Sequence, residues 1–267
     1  MGVVNVTPDS FSDGGLFFAP GDAIAHGIAL AEAGAAVVDI GGESTRPGAE
    51  PVDARTECAR VIPVIEGLRA VLDIPISIDT TKALVATRAL AAGATIVNDV
   101  SAGTIDPDML DTVAESGAGY IAMHMQGEPR SMQADPQYHD VVAEVVEFLA
   151  GRLDAARAAG IAEDALMVDP GIGFGKTLDH NLTLLANLDE LIAGLGVPLL
   201  VGTSRKSFLG RITGIDTPDA RDDATLATVM WSIEHGASIV RVHDVEPAVH
   251  AVRLWRALLD LDAAAVA

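Results

Sequence analysis

Polar residues that can bind an anion or a polar ring end eight short apolar runs in this chain of 267 residues. Carboxylates and carboxamides hydrogen-bond the N–H groups of a heterocycle, whereas lysine and arginine bind phosphate oxygens. The set therefore predicts a site for a small molecule that carries a polar ring and an anionic group. Its members, in chain order, are Asn5, Asp39, Asp79, Asn98, His124, Asp169, the Ser204-Arg205-Lys206 turn, and Arg241 with His243.

Cationic and amide groups form the first subset. Lys206 lies in the stretch 203–207, which is predicted to open a helix, and a helix N-terminus beside an ammonium attracts anions. Arg241 and His243 are two residues apart, so their side chains leave an extended chain on the same side. We expect these residues and Asn5 to bind an anion; the alternative is that they pair with surface carboxylates.

Hydrogen-bond acceptors form the second subset, at Asp79, Asn98 and Asp169. Buried carboxylates are costly without partners, so a ring with several N–H groups would explain them. The alternative for any one of them is a carboxylate paired with an arginine inside the fold. Asp39 and Asp99 fit that alternative better and are left out of the catalytic set. We expect the acceptors to lie on one side of the site and the cations on the other.

The apolar runs are typical of strands in a parallel sheet that is buried on both faces. Helical patterns lie between them, and strict β-then-α alternation predicts an α/β protein with the (β/α)₈ TIM-barrel fold, in which strand ends build the active site. We expect one domain over 1–267 and long mouth loops at 7–21, 42–52 and 125–137. Helices are predicted to begin at Asp22 and at Asp53, and Pro63 is expected to kink or divide the second of them. Further helices are predicted to cover about 82–92, 107–116, 139–159, 179–193, 217–235 and 246–261.

Composition excludes several classes of partner. Acidic residues number 38 against 17 basic ones, a net charge of −21, which disfavours binding to nucleic acid or to an anionic membrane. No apolar run approaches the ~18 residues of a membrane span, and no signal peptide is visible. We therefore expect a cytoplasmic protein. The single cysteine, Cys58, cannot form an internal disulfide and is interpreted as a packing residue.

Lysine is rare in this chain and follows predicted strands. Lys82, Lys176 and Lys206 stand against fourteen arginines. Where lysine occurs in a chain that otherwise uses arginine, we infer that the position needs the compact ammonium of lysine and not the planar guanidinium of arginine. The alternative is that these lysines fall there by chance or cap helix starts. His124 is expected to be structural, because no carboxylate partner for proton transfer is visible.

Eight motifs run through the chain in an order that resembles the dihydropteroate synthase family of folate biosynthesis. Each is short, but their joint specificity as an ordered set is high. They are Asn5-Val6-Thr7-Pro8-Asp9-Ser10-Phe11-Ser12-Asp13-Gly14-Gly15, Gly41-Gly42-Glu43-Ser44-Thr45-Arg46-Pro47-Gly48, Ser77-Ile78-Asp79-Thr80, Val97-Asn98-Asp99, Met123-His124-Met125-Gln126-Gly127, Asp169-Pro170-Gly171-Ile172-Gly173-Phe174-Gly175-Lys176, Ser204-Arg205-Lys206-Ser207 and Arg241-Val242-His243-Asp244.

The resemblance implies a transferase that joins 6-hydroxymethyl-7,8-dihydropterin pyrophosphate to 4-aminobenzoate with Mg²⁺. It implies that Asp79, Asn98, Asp169 and Lys206 hold the pterin. It assigns the pyrophosphate and magnesium to Asn5, Arg241 and His243, joined by Thr45 and Arg46 from a loop, and the aminobenzoate to Phe11, Pro47, Phe174 and Ser207. The catalytic set would be Asn5, Asp79, Lys206, Arg241 and His243, with Asn5 as the metal ligand. A homodimer formed through the late helices is also implied.

Two departures and three rival functions accompany this resemblance. The stretch that forms a hairpin before the first strand in family members is not seen, and the loop after strand six has no insertion of the sulfonamide-resistant kind. The rivals are the pterin-binding domain of corrinoid methyltransferases, a non-catalytic pterin-binding paralogue and a phosphosugar barrel enzyme. The Thr45-Arg46 loop and the Arg241/His243 pair favour the synthase over the first, and the acceptor subset disfavours the third.

Overall fold

Eight parallel strands form the centre of the molecule. The structure, a computed structural model, describes residues 1–7, 20–45 and 48–266, with side chains to residue 259. Each strand ends within three residues of a polar residue selected from the sequence. The strands are β1 (Gly2–Asn5), β2 (Val38–Gly41), β3 (Ile76–Asp79), β4 (Ile96–Asp99), β5 (Gly119–Met123), β6 (Leu166–Asp169), β7 (Leu200–Val201) and β8 (Ile239–Val240).

Parallel pairing closes these strands into a barrel. Strands β1 to β6 pair in chain order, and β7 pairs with β8. Isolated bridges join Val168 to Leu199 and Gly2 to Val242, so β6 meets β7 and the chain after β8 returns to β1. Helices follow the strands along the chain. The predicted (β/α)₈ barrel is confirmed, whereas the single domain over 1–267 stays a prediction.

The strand register sets three polar residues and one glycine in a row. Asn5 pairs with Gly41, Gly41 with Asp79, and Asp79 with Asn98. Because paired residues of parallel strands project to the same face, these side chains share one level of the barrel. The row lies at the carboxyl ends of the strands, which is the end where barrel enzymes bind substrates.

Apolar side chains fill the barrel below this row. Met1, Val37, Ile121 and Leu200 form a buried cluster inside it. The alternate residues of the same strands point outward into a larger core beneath the helices, which includes Val4, Ile40, Ile78, Val97 and Val168. These apolar side chains form the floor of the polar row.

The helices follow the predicted order, with differences in where some of them begin or break. Helix α1 begins at Pro20, two residues before Asp22, whereas Asp53 caps α2 as predicted by accepting the amide hydrogens of Arg55 and Thr56. Pro63 does not divide α2, because fully buried residues on both sides of it hold one continuous helix on the core. The helices are α1 (Pro20–Glu32), α2 (Ala54–Arg69), α3 (Ala83–Ala92), α4 (Met109–Ser116), α5 (Val141–Ala159), α6 (Leu178–Ala186), α7 (Leu188–Leu195), α8 (Ser207–Thr213), α9 (Asp222–Glu234) and α10 (Val245–Val266).

Two predicted helices are interrupted. The stretch 179–193 divides into α6 and α7 at Asn187, whose backbone is not helical. The stretch 217–235 begins with a 3₁₀ turn at Pro218–Arg221 before α9. Asn187 caps α6, and its side chain donates to the carbonyl of Thr183, an example of the local hydrogen bonding by which asparagine competes with a helix.

No helix in the described ranges is both long and apolar enough to cross a membrane.

Candidate functional site

Arg241 lies at the centre of the barrel mouth, between two carboxylates. Its Nε donates to Asp39 Oδ2 at 2.6 Å and its Nη2 to Asp79 Oδ2 at 2.8 Å. Asp39 is fully buried and Asp79 nearly so. Asp39 and Asp79 therefore share one guanidinium. The sequence left open that a buried carboxylate pairs with an arginine inside the fold, and this pairing is found for Asp79 as well as for Asp39.

Asp79 titrates unusually for a carboxyl group. Burial raises the pKa of Asp79 to about 7; Arg241 opposes this rise, and the negative charges of Asp39, Glu57 and Asp99 support it. Burial acts to lower the pKa of Arg241, but Asp39 and Asp79 outweigh it and raise this pKa, so the guanidinium stays charged. Perturbed carboxyl groups in a cleft are frequent at functional sites. Asp79 can thus be a carboxylate or a carboxylic acid near neutral pH.

Asn98 is tied to the same network from the next strand. Its Nδ2 donates to Asp39 Oδ2 at 3.2 Å, and its side chain is buried. Asp39 thus accepts hydrogen bonds from both Arg241 and Asn98, although sequence reasoning left it out of the site. The missed signal was its position: Asp39 stands two residues before Gly41, on the inward face of β2.

Asp169 and Lys206 lie close to each other at the mouth. Asp169 is buried and accepts the amide hydrogen of Gly171 at 2.7 Å. Burial raises the pKa of Asp169, and the charge of Lys206 works against that rise. A Cβ atom added at Gly202 would lie 3.9 Å from Asp169 Oδ2 and 4.0 Å from Lys206 Nζ, so this glycine borders both groups.

Lys206 follows β7 and contacts the loop that follows β6. Its ammonium donates to the carbonyl of Ile172 and lies 4.7 Å from the ring centroid of Phe174, a cation–π distance. Burial lowers the pKa of Lys206 to about 8, and Asp169 opposes the fall. The predicted aminobenzoate residue Phe174 is therefore in contact with a predicted pterin residue.

His243 is held by a serine of the preceding strand-end loop. Its backbone N–H and its ring Nδ1 lie 3.2 and 2.9 Å from Ser204 Oγ. Arg205, the next residue, has a positive φ of 61°. It turns away from the mouth and forms a bidentate pair with Asp222 at 2.8 Å. This turn separates Ser204 from Lys206 and fastens the loop to the start of α9.

Lys82 forms a second cation–carboxylate cluster beside the mouth. Its Nζ lies 2.5 Å from Glu43 Oε2 and 2.6 Å from Glu57 Oε2. Glu43 also accepts the amide hydrogen of Val52 at 2.8 Å, so one carboxylate ties together both ends of the loop that contains Thr45. Lys82 is therefore an anchor of that loop.

Lys176 is sealed in the protein interior. Its Nζ lies 2.9 Å from His124 Nδ1 and donates to the carbonyl of Phe174 at 3.0 Å. Burial lowers the pKa of Lys176 well below its usual value. Burial, assisted by the charge of Lys176, lowers the pKa of His124 to about 3, so the imidazole is neutral. The structural role predicted for His124 fits these contacts.

The remaining predicted residues lie around this centre. Asn5 is half-buried at the end of β1, Thr45 is half-buried, and Ser207 is exposed at the first position of α8. Phe11, Arg46 and Pro47 lie outside the described residues. Cys58 is partly buried and packs against the core, as expected for a packing residue.

The predicted separation of charges is wrong. Arg241, from the cationic subset, is ion-paired with Asp79 from the acceptor subset, and Lys206 faces Asp169. The physical reason is that several buried charges of one sign cannot share a side of the mouth without counter-charges. Cations and acceptors therefore alternate around the mouth.

A divalent cation would find few protein ligands here. Among the described residues no group of three or more His, Cys, Asp or Glu side chains could hold a metal ion. The gap at Gly41 is bordered by Asn5 and Asp79, since a Cβ there would lie 3.9 Å from Asn5 Oδ1 and 3.8 Å from Asp79 Oδ2. These hard oxygens fit Mg²⁺, provided that the ion takes most of its ligands from phosphate and water.

Comparison with known proteins agrees with this geometry. A model of the pterin binding enzyme family matches residues 1–243. The chain is 50% identical over 266 residues to a dihydropteroate synthase from Mycobacterium leprae, covering 97% of this chain and 93% of the relative. A dihydropteroate synthase from Xanthomonas albilineans with 4-aminobenzoic acid has a TM-score of 0.91 and 48% identity, covering 97% of this chain and 92% of that one. The same enzyme in complex with 7,8-dihydropteroate has a TM-score of 0.87 and 45% identity, with the same coverage.

Proposed function

We propose a reaction for this chain from the premise that it belongs to the pterin-binding enzyme family. The chain is a dihydropteroate synthase: it transfers the 7,8-dihydropterin-6-ylmethyl group from its pyrophosphate ester to 4-aminobenzoate and releases pyrophosphate. Its sequence identity of 48% to 50%, over 97% of this chain, to proteins of that name supports this function. The observation that carries it is the alternation of Arg241 and Lys206 with Asp79 and Asp169 in one mouth.

The acceptors hold the pterin ring. Asp79, Asn98 and Asp169 end adjacent or nearby strands and offer oxygen atoms to ring N–H groups. Lys206, placed by the carbonyl of Ile172, donates to a ring acceptor from the other side. A ring with both donors and acceptors satisfies these buried groups better than water, because every lone pair and hydrogen has a fixed partner.

Arg241 holds the leaving group. Asp39 and Asp79 occupy its Nε and Nη2, and within the described ranges Nη1 has no hydrogen-bond partner. A guanidinium nitrogen at the mouth can therefore bind a phosphate oxygen. His243, oriented by Ser204, and Asn5 complete this side, and Thr45 joins from its anchored loop.

Bond cleavage at the ester oxygen comes first. The C–O bond breaks as pyrophosphate leaves, its growing charge is neutralised by Arg241, and Asp79 stabilises the positive charge left on the pterin methylene. The nitrogen lone pair of 4-aminobenzoate then forms the C–N bond, and the resulting ammonium gives its proton to water. Phe174 and Ser207 frame this amine's ring. No nucleophilic side chain is needed.

Magnesium belongs to this proposal. A bound Mg²⁺ would supply positive charge to the departing pyrophosphate, and Asn5 is the protein ligand that fits it. Turnover should stop on addition of a chelator and return with Mg²⁺. Unchanged turnover in excess chelator would remove magnesium from the mechanism.

A homodimer is also proposed, through the late helices. Trp231 on α9 and Leu254 and Leu258 on α10 are 47%, 63% and 55% exposed. Large apolar side chains grouped at a surface mark interaction sites. Light scattering at micromolar concentration should give twice the mass of one chain, and Leu254→Glu should halve it. A monomeric wild type would contradict this. Cytoplasmic location stays a prediction.

Turnover tests the proposed function directly. Purified protein with Mg²⁺ should form 7,8-dihydropteroate and release pyrophosphate when both substrates are present, and it should form no dihydropteroate when 4-aminobenzoate is omitted. Folded protein that binds the pterin ester and never releases pyrophosphate would instead indicate the non-catalytic pterin-binding alternative.

A further inference from the structure

Asp39 connects the two halves of the candidate site. One oxygen, Oδ2, accepts from Arg241 Nε at 2.6 Å and from Asn98 Nδ2 at 3.2 Å. The side chain has no exposed surface, so Asp39 cannot touch a ligand while these contacts hold. Its effect on a bound molecule therefore has to pass through Arg241 and Asn98.

The carboxylate decides how Asn98 faces the mouth. A carboxylate only accepts hydrogen bonds, so the carboxamide must turn its NH₂ group toward Asp39. The carbonyl oxygen of Asn98 is then directed away from Asp39. With Asp79 on the neighbouring strand and Asp169 across the barrel, the ring side of the mouth presents acceptors, which select a ring by its N–H donors.

The same carboxylate sets the plane of Arg241. Nε is the guanidinium nitrogen nearest the chain, and a bond at 2.6 Å there, with Nη2 bonded to Asp79, fixes the fork at two points. Two such bonds leave the remaining nitrogen with one direction available. The position of Nη1 is therefore determined by Asp39 and Asp79 jointly.

Burying Asp39 costs folding free energy, which a residue that served only to pack the core would not need to cost. Its second oxygen, Oδ1, is buried without a partner among the described residues, and so is Ser77 Oγ at the paired position of β3. Apolar residues of similar volume commonly replace buried ion pairs without loss of stability. A buried carboxylate with one unsatisfied oxygen is better explained by the two site residues that it holds.

We propose that Asp39 is a positioning residue that orients the Arg241 fork and the Asn98 carboxamide together, and so couples binding of the ring to binding of the leaving group. This inference rests on the proposed function. Asp39 acts on the pterin ester alone, because its partners lie on that side and Phe174 and Ser207 are not among its contacts.

Kinetics of Asp39→Asn test the proposal. The variant keeps the shape and removes the charge, so kcat/KM for the pterin pyrophosphate should fall by about 10- to 100-fold while KM for 4-aminobenzoate stays within about twofold. Asp99→Asn is the matched control, since Asp99 is buried at the end of β4 and bonds Ser101, Gly103 and Tyr120 instead of site residues. An equal change of both KM values, or an unchanged kcat/KM, would overturn the proposal.

A double-mutant cycle tests whether Asp39 acts through Arg241. Adding Asp39→Asn to Arg241→Ala should reduce kcat/KM by a smaller factor than Asp39→Asn does in the wild type, because one of the two residues that Asp39 positions is already missing. Losses that multiply would contradict the proposal. If Asp39→Asn does not fold by circular dichroism, Asp39→Glu, which keeps the charge and moves it, takes its place with the same expectations.

Binding separates this inference from the proposed function. If the wild type turns out to be inactive, the proposed reaction fails, and calorimetry with inorganic pyrophosphate still reports on Arg241. Asp39→Asn should then bind pyrophosphate at least about fivefold more weakly than wild type and Asp99→Asn equally well. Equal affinity in wild type and Asp39→Asn would overturn the positioning role.

Discussion

Two clusters in this molecule have nearly the same composition and different consequences. Arg241 lies between Asp39 and Asp79, and Lys82 lies between Glu43 and Glu57. Each cation is 22% exposed, and each pairs with one fully buried carboxylate and one partly exposed carboxylate. Charge, stoichiometry and burial therefore cannot distinguish the two clusters.

Geometry distinguishes them. Lys82 meets both carboxylates with one nitrogen atom, whereas Arg241 meets its carboxylates with two different nitrogens and keeps a third for the mouth. The lysine cluster joins α2, the start of α3 and a loop, so it fastens structure together. The arginine cluster joins strand ends inside the barrel, where substrates bind. We infer that a cation of this kind can act on a substrate only if one of its N–H donors is not bonded to the protein and points into the mouth.

The sharpest way to break this comparison is Arg241→Ala. Removing the guanidinium removes a fixed positive charge from the leaving group, and loss of one such donor typically costs about 100- to 1000-fold in kcat. We expect a loss of that size with little change in KM for 4-aminobenzoate, in a fold preserved by circular dichroism. Near wild-type turnover would show that Arg241 is as structural as Lys82.

Lys206→Ala tests whether a lysine at the mouth is catalytic where Lys82 is not. Lys206 faces Asp169 and Phe174, so we expect about a 100-fold loss of kcat/KM for the pterin ester. Lys206→Arg should recover part of it, because the charge returns without the compact ammonium. Steady-state kinetics with both substrates measure this. A loss confined to thermal stability would contradict the assignment.

The pH dependence sharpens the same contrast. Burial lowers the pKa of Lys206 to about 8 from 10.5, so kcat/KM for the pterin ester should fall above pH 8 as the ammonium loses its proton. Between these values the unfolded chain binds the extra proton, so this group makes the folded state more stable as pH rises from about 8 to 10.5. A rate profile flat from pH 7 to about 9.5 would contradict the assignment. Lys206→Arg should move the alkaline limb to higher pH.

Lys82→Met should affect activity less than either change at the mouth. The variant frees Glu43 and leaves Glu57 buried without its partner, so the loop that contains Thr45 loses its anchor and the free energy of unfolding falls by about 3 kcal/mol. We expect kcat/KM for the pterin ester to fall by only about 3- to 10-fold, because the loop still samples its position. Urea unfolding and kinetics check both. A loss as large as that of Arg241→Ala would remove the distinction between the clusters.

The smallest effect on activity is expected for Asp99→Asn. Its carboxylate accepts hydrogen bonds from Ser101, Gly103 and Tyr120 and makes none with a residue at the mouth. The variant should lower the free energy of unfolding by about 2 kcal/mol and leave kcat within about twofold. A large fall in kcat at full folding would show that any buried strand-end aspartate matters, which would weaken the case for Asp39.

The barrel could be predicted from sequence because its signals are local. Each strand is a short apolar run with a polar end, and the runs alternate with helical patterns, as parallel pairing requires. The break at Asn187 was missed, because no glycine or proline marks it and the asparagine disrupts the helix through its own hydrogen bonds. Boundaries of this kind depend on one side chain.

The candidate site was predictable as a set of strand ends and not as a network. Sequence shows that Asp39 and Asp79 follow apolar residues, but the partner of each is set by a closing barrel that brings Arg241 beside them from 202 and 162 residues away. Glu57, the buried partner of Lys82, stands on a helix 25 residues earlier and has no motif of its own. The resemblance supplied the roles, and the fold supplied the pairings.

Calorimetric titration of inorganic pyrophosphate, in the presence of Mg²⁺, tests the central distinction between the two clusters most directly. We expect wild type and Lys82→Met to bind within about threefold of each other, and Arg241→Ala to bind at least about tenfold more weakly, since a charge-assisted hydrogen bond contributes about 1.5–3 kcal/mol. If Arg241→Ala binds pyrophosphate as tightly as wild type, or if Lys82→Met loses as much affinity, the assignment of the leaving group to Arg241 is wrong.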